Sequence, residues 1–176
     1  MCSSDLLLED AGLNSGVQFR SSVAQDYTEL WLRGTGGAYN PKKLPEGRMY
    51  GYQVEISGVE SSGYIWDEAQ RDLVPEWWGY DNGTFVVGQW NHYEIICDGP
   101  NISTYLNGVK RKAINDGLTL NGLIGLQVHG NTPGGLRVKW KNILIKGDAT
   151  EQPIPPDPPD PPEDGELVYA WGFNNN

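Results

Sequence analysis

Several features that would identify a protein quickly are scarce or missing here. Two cysteines, Cys2 and Cys97, stand in 176 residues, too few for a disulfide framework. Cys97 lies in an apolar stretch and reads as a core thiol, and Cys2 is close to a terminus. Two histidines, His92 and His129, leave no His-x-x-x-His metal spacing. No apolar run approaches the roughly 18–20 residues needed to span a bilayer. Leu6-Leu7-Leu8 is too short for the apolar core of a secretory signal, so if the protein is exported its signal is missing from this chain. There is no excess of base: the formal net charge is −10 and the pI about 4.5. Seven acids and no base lie between 148 and 166, which leaves 16 acids against 13 bases in residues 1–147. Neither part carries a nucleic-acid footprint. No Gly-x-Ser-x-Gly elbow occurs, and Gly34–Gly37 lacks the Lys-Ser/Thr of a phosphate loop. Helical periodicity is absent throughout.

What is present is glycine (23), proline (12), seven Trp and nine Tyr, a mixture suited to short strands and many turns. Strands are expected over 4–9, 17–21, 50–57, 63–68, 91–97, 102–106, 123–129 and 136–145. Asp98-Gly99-Pro100-Asn101 marks a hairpin, and Asn107-Gly108 suits a second tight turn. Residues 23–47 read as a long loop, and 75–85 as an aromatic excursion. Leu136/Val138/Trp140 alternate, then Ile143/Ile145 take over out of phase, which predicts a bulge near Lys141-Asn142. Many strands at short spacing mean a sandwich or barrel, and one domain of roughly 150 residues can bury an adequate core.

Three of these strands repeat one pattern. Side chains alternate faces along a strand. Val17/Phe19, Tyr52/Val54/Ile56 and Ile124/Leu126/Val128 therefore make an apolar face. Gln18/Arg20, Gln53/Glu55 and Gln127/His129 fall on the other. A guanidinium, a carboxylate, an imidazole and three amides suit the lining of a polar groove better than an ordinary exposed sheet. Trp66, Trp77, Trp78 and Tyr80 offer flat aromatic platforms for a ligand, whereas Trp90 and Trp140 read as core. His92 reads as exposed.

Beyond the sheet-forming part, residues 148–165 form a linker. Pro155-Pro156-Asp157-Pro158-Pro159-Asp160-Pro161-Pro162 cannot pair in a sheet and favours the polyproline conformation. Residues 166–176 read as the first, truncated strand of a second β domain.

Asn14-Ser15-Gly16-Val17-Gln18-Phe19-Arg20, Tyr50-Gly51-Tyr52-Gln53-Val54-Glu55-Ile56, Tyr64-Ile65-Trp66-Asp67-Glu68-Ala69-Gln70-Arg71, Gln89-Trp90-Asn91-His92-Tyr93, Gly125-Leu126-Gln127-Val128-His129-Gly130 and Trp140-Lys141-Asn142-Ile143 occur in one order. Together they resemble the bacterial DUF1080 domain, also called the 3-keto-disaccharide hydrolase or 3-keto-glucoside 1,2-lyase/hydratase domain, over roughly residues 5–147. The resemblance implies an all-β, concanavalin A-like jelly roll of two antiparallel sheets, the concave one forming a sugar groove. It also implies a periplasmic, extracellular or cell-surface setting in a bacterium. Two departures stand out. The family's opening strands and its Leu-Phe-Asn-Gly-Lys-like segment are absent, so residues 1–147 are expected to lack N-terminal strands and to leave a sheet edge uncovered. Trp66 stands where a Tyr is more usual. The segment 167–173 resembles the opening strand of a laminin-G-like domain.

The resemblance implies a carbohydrate partner and an enolate chemistry, cleavage of an oxidised glucoside with net hydrolysis. A ketone at C3 of a sugar acidifies the hydrogen on C2, so a base can remove it while the C1 substituent leaves. Such a site needs a base, an acid and a positive group for the enolate oxygen. Glu55 and His129 are the candidates for base and acid, and Arg20 for the enolate oxygen. Gln18, Gln53 and Gln127 could hold hydroxyls, with Trp66, Asp67, Glu68, Arg71, Trp77 and Trp78 at the groove wall. Each has a structural alternative. His129 could bond a turn, Glu55 and Arg20 could pair across strands, and Asp67, Glu68 and Arg71 could tie down a loop. A divalent metal held by His129, Glu55 and Asp67 is a further option as a Lewis acid. A non-catalytic carbohydrate-binding module and a cell-surface scaffold are the rival readings.

Overall fold

The computed structural model describes residues 1–25, 28–33, 39–58, 61–80, 83–129 and 135–147, with the backbone alone for 28–33 and 39–43. The linker 148–165, the segment 166–176, Gly34–Gly37 and Gly130 lie outside the described residues. Eleven strands are seen among the described residues. They are β1 (Cys2–Leu8), β2 (Asn14–Val23), β3 (Thr28–Arg33), β4 (Tyr39–Leu44), β5 (Met49–Ser57), β6 (Ile65–Glu68), β7 (Asn91–Asp98), β8 (Asn101–Leu106), β9 (Val109–Asn115), β10 (Leu123–Val128) and β11 (Val138–Ile145). One turn of 3-10 helix covers Pro75–Trp77.

They build two antiparallel sheets packed as a sandwich. One runs β11-β1-β7-β8-β9 and the other β10-β2-β5-β6. The core is what alternation demands of two facing sheets. Leu6, Leu8, Tyr93, Ile95, Ile102 and Leu106 from the first sheet meet Val17, Phe19, Tyr52, Val54, Ile56 and Ile65 from the second, all nearly inaccessible. The all-β jelly-roll expectation holds.

Two expectations need correction. Residues 23–47 are not a long loop throughout: β3 and β4 pair there as a hairpin outside both sheets, with Thr28 opposite Leu44 and Arg33 opposite Tyr39. Pro41 is tolerated because a two-stranded ribbon has only edge strands. Trp90 is not core. It is 41 % exposed, with the Lys141 ammonium 4.1 Å from its ring centroid. Trp140 does pack against the core. The bulge in β11 is present: the register with β1 shifts between Ser3 and Asp5, and Asn142 takes the left-handed conformation at φ 51°. Strand β9 adds an element that the Asn107-Gly108 turn announces, pairing Leu106 with Val109.

Candidate functional site

Register decides which side chains share the polar face of the second sheet. Directly opposed residues lie on the same side. Gln18 opposes Gln53, Gly16 opposes Glu55, and on the other side Gly125 opposes Gln18 and Gln127 opposes Gly16. Gln53 also opposes Trp66, and Gly51 opposes Glu68. Gln18, Gln53, Glu55, Gln127, Trp66 and Glu68 are thus brought to one face. Alternation carries the half-buried His129 to it as well, two residues past Gln127.

The centre of this face is a hydrogen-bonded chain. Gln53 Nε2 donates to Glu55 Oε2 (3.1 Å) and to Gln127 Oε1 (3.4 Å), spanning β2 between them. The span is open because Gly16 has no side chain. A Cβ there would stand 2.5 Å from the Gln53 Cδ. Asn14 Nδ2 donates to the other Glu55 oxygen at 2.5 Å. Glu55 is 8 % exposed. Burial pushes its carboxyl above the usual range, and the two amide donors oppose that shift without cancelling it. The Gln53 carbonyl oxygen is buried without a partner, an acceptor held in reserve beside the acid.

Next to this chain lies a cavity of about 390 Å³, within the range of small-molecule sites. Its lining includes Gln18, Gln127, Arg48, Met49, Glu68 and the backbone at Gly125. Gly125 keeps it open, since a Cβ would meet the Met49 sulfur at 2.7 Å. Glu55 does not line the cavity; it connects to it through Gln53 and Gln127. The cation at this face is Arg48, which donates to Glu68 in an ion pair only about one sixth exposed. Trp66 and Trp78 meet edge to face with centroids 5.3 Å apart, forming an aromatic wall on the β6 side.

Other expected site residues lie elsewhere. Arg20 takes a left-handed φ of 49°, inside a register shift between Gln18 and Ser22. The break in alternation turns it off the Gln18 face and toward the first sheet, where burial pushes the Cys97 thiol up and the Arg20 charge only partly offsets that. One of its Nη groups is buried without a partner. Asp67 opposes Tyr52 and so faces the interior. It is fully buried and accepts from Arg71, whose guanidinium also donates to Asp116 at 2.8 Å. Trp77 is buried beneath that guanidinium, 4.4 Å from ring centroid to Cζ. Asp67, Arg71 and Trp77 therefore tie down a loop at one end of the core. His129, Glu55 and Asp67 do not converge as a metal triad, because Asp67 is on the opposite face of the sheet. Among the described residues no three His, Cys, Asp or Glu side chains cluster in that way. His92 is exposed, with its Nδ1 2.7 Å from an Asp5 carboxylate oxygen.

Asn14 and Arg48 were not among the sequence candidates. Parity could have found Asn14, which shares its face with Gly16 and Gln18. Arg48 precedes β5 by one residue, where no strand pattern fixes its direction. Among the described residues no helix is long and apolar enough to cross a membrane. Compared with known families, residues 3–146 match the profile of the 3-keto-alpha-glucoside-1,2-lyase-like domain. No curated protein matches the chain.

Proposed function

The chain belongs to the 3-keto-alpha-glucoside-1,2-lyase-like family, and from that membership we propose that its groove cleaves glucosides already oxidised to a ketone at C3. The observation that carries this reading is Glu55, a carboxyl raised by burial and held by Asn14 and Gln53 on an amide-lined face. A base with a raised pKa suits abstraction of a proton made acidic by a neighbouring ketone. Glu55 takes the C2 hydrogen, and the electron pair moves into the enolate. The enolate re-forms the ketone as the C1–O bond breaks, and His129 gives the departing oxygen its proton. Water then adds across the C1–C2 double bond, so the net change is hydrolysis. Arg20, the sequence candidate for the enolate oxygen, faces away from this side, and Arg48 stands on the order of 20 Å from Glu55 along the strand. The amides of Gln53 and Gln127 beside Glu55 therefore take the enolate oxygen, and Arg48, lining the cavity, holds a remote part of the substrate. Gln18 holds a ring hydroxyl. A periplasmic or extracellular setting belongs to the same proposal.

The Trp66–Trp78 wall favours a second reading, a carbohydrate-binding module without turnover, because aromatic faces suit the C–H faces of sugars. One experiment separates the two. The protein is incubated with a 3-keto-glucoside and with its unoxidised parent, and released aglycone is followed. Release from the ketone alone supports the enzyme. Binding of the parent with no release from either supports the module and overturns the enzyme.

A further inference from the structure

The sandwich is open along one end. Leu126 opposes Val17, and Val128 opposes Ser15, so Ile124, Leu126 and Val128 point between the sheets. Ile145 opposes the buried Cys2, and Ile143 shares its side. These five inward-pointing aliphatic side chains are nevertheless between 38 % and 60 % exposed. They belong to β10 and β11, each the last strand of its sheet, and among the described residues no strand pairs with either outer edge. Free edges beside uncovered apolar side chains are a template for another strand.

We propose that Leu167–Phe173 of this same chain docks there as an added strand. Five features select it. Leu167, Tyr169, Trp171 and Phe173 alternate with Val168, Ala170 and Gly172, giving one continuous large apolar face. Its seven residues, at about 3.3 Å each, match the six of β10 and the eight of β11. The chain leaves the sandwich at this end, just after Ile145. The spacer reaches: its eight-residue Pro/Asp run, at about 3.1 Å per residue, covers roughly the length of β11. Charge agrees as well. Arg137, Lys139, Lys141 and Lys146 are exposed on and beside β11, while the spacer and tail carry Asp148, Glu151, Asp157, Asp160, Glu163, Asp164 and Glu166 with no base. Lys139 already meets Glu9 at 2.5 Å and Lys141 lies over the Trp90 ring; all four are exposed and add to the positive field that the acidic run meets.

Amide hydrogen exchange on the full 176-residue chain tests this, comparing the wild type with the double variant Tyr169→Asp/Trp171→Asp at two protein concentrations. These substitutions change no residue of β1 to β11. The expected result is exchange at least about tenfold faster in the variant at Leu123–Val128 or Val138–Ile145, independent of concentration. High salt should also speed exchange in the wild type toward the variant's rate, through screening of the spacer. Equal rates in the two proteins overturn the proposal. Protection that rises with concentration, together with a dimer in sedimentation, assigns the open end to a second copy and overturns it too.

Discussion

The two ends of the sandwich solve one problem differently. A sheet pair covers its core above and below, but the gap between the sheets at each end needs something else. At the β6/β9 end that cover is polar and aromatic. Arg71 links Asp67 to Asp116, the Tyr52 hydroxyl donates to the same Asp116, and Trp77 lies beneath the guanidinium. Arg111 adds a second clamp, donating to the Ser62 carbonyl at 3.2 Å and lying over the Tyr64 ring, while Thr104 Oγ1 donates to the Gly63 carbonyl at 2.6 Å. At the β10/β11 end no such ladder is seen among the described residues, and aliphatic side chains aimed at the core remain in contact with solvent. Alternation sets where a side chain points; whether it is buried depends on what lies across from it.

The sharpest way to break the contrast is at the closed end. Arg71→Ala leaves the buried Asp67 and the partly buried Asp116 without their cation. Removing one partner of such a pair typically costs about 3–5 kcal/mol, with the lower figure expected because Arg71 is 22 % exposed. Urea melts of the two proteins give the number, and a loss under about 1 kcal/mol would mean that the ladder does not close this end. The pH dependence has a defined sign. Burial raises Asp116, but Arg71, Tyr52 and the Leu118 amide outweigh it and hold the carboxyl below its ordinary range. Its contribution is therefore complete above about pH 4 and is lost as pH falls through the folded value. Asp67 is raised by burial, which Arg71 only partly offsets, and so works in the opposite sense. In Arg71→Ala the acid loss due to Asp116 should be largely gone.

Between the two ends sits the groove, where substitutions should cost less stability and more chemistry. Gly16→Ala places a methyl against Gln53, which is itself buried and bonded to Glu55 and Gln127. Overpacking of this kind costs about 1–3 kcal/mol, and turnover of a 3-keto-glucoside should fall with it. Unchanged kinetics would show that the Gln53 chain is not part of the site. Glu55→Gln should remove turnover by at least about a hundredfold while making the fold more stable at pH 8. A carboxyl raised on folding supports the native state below its unfolded pKa and loses that support as pH rises through the folded value. The neutral amide has no such loss, and the unpartnered Gln53 oxygen can accept from it after that amide turns. Thermal melts should separate the two proteins by a few degrees at pH 8 and coincide near pH 4. Coincidence at both would contradict the raised carboxyl.

These comparisons mark what the sequence made legible. The burial of Val17, Phe19, Tyr52, Val54 and Ile56 and the inward direction of Ile124, Leu126 and Val128 followed from period-two alternation, and the β11 bulge from its change of phase. The groove-face placement of Gln18, Gln53, Glu55 and Gln127 followed from the same rule. Arg20 escaped it because one left-handed residue reverses parity, and nothing in Phe19-Arg20-Ser21 announces a positive φ. Asp67 escaped because β6 begins where a turn sets its phase: its neighbours Trp66 and Glu68 took the groove side, leaving the carboxylate for Arg71. The β3/β4 hairpin was hidden by Gly and Pro, which mark turns and edges as readily as loops. Exposure at the β10/β11 end was not readable from those strands, since their own residues look like core.

The smallest effect tests that last point. Ile145 is 60 % exposed, so Ile145→Thr in the full chain carrying Tyr169→Asp/Trp171→Asp should change stability by no more than about 0.5 kcal/mol, the usual range for surface positions. If Leu167–Phe173 covers it, the same substitution in the otherwise wild-type chain removes buried methyl groups and should cost about 1 kcal/mol, in the range for deleting a buried methyl. A double-mutant cycle over these four proteins isolates the coupling from each variant's separate effect. Coupling near zero would leave Ile145 a solvent-facing residue and the two ends of the sandwich unlike in the full chain; a positive coupling would make them alike in kind, each closed by chain from outside the paired strands.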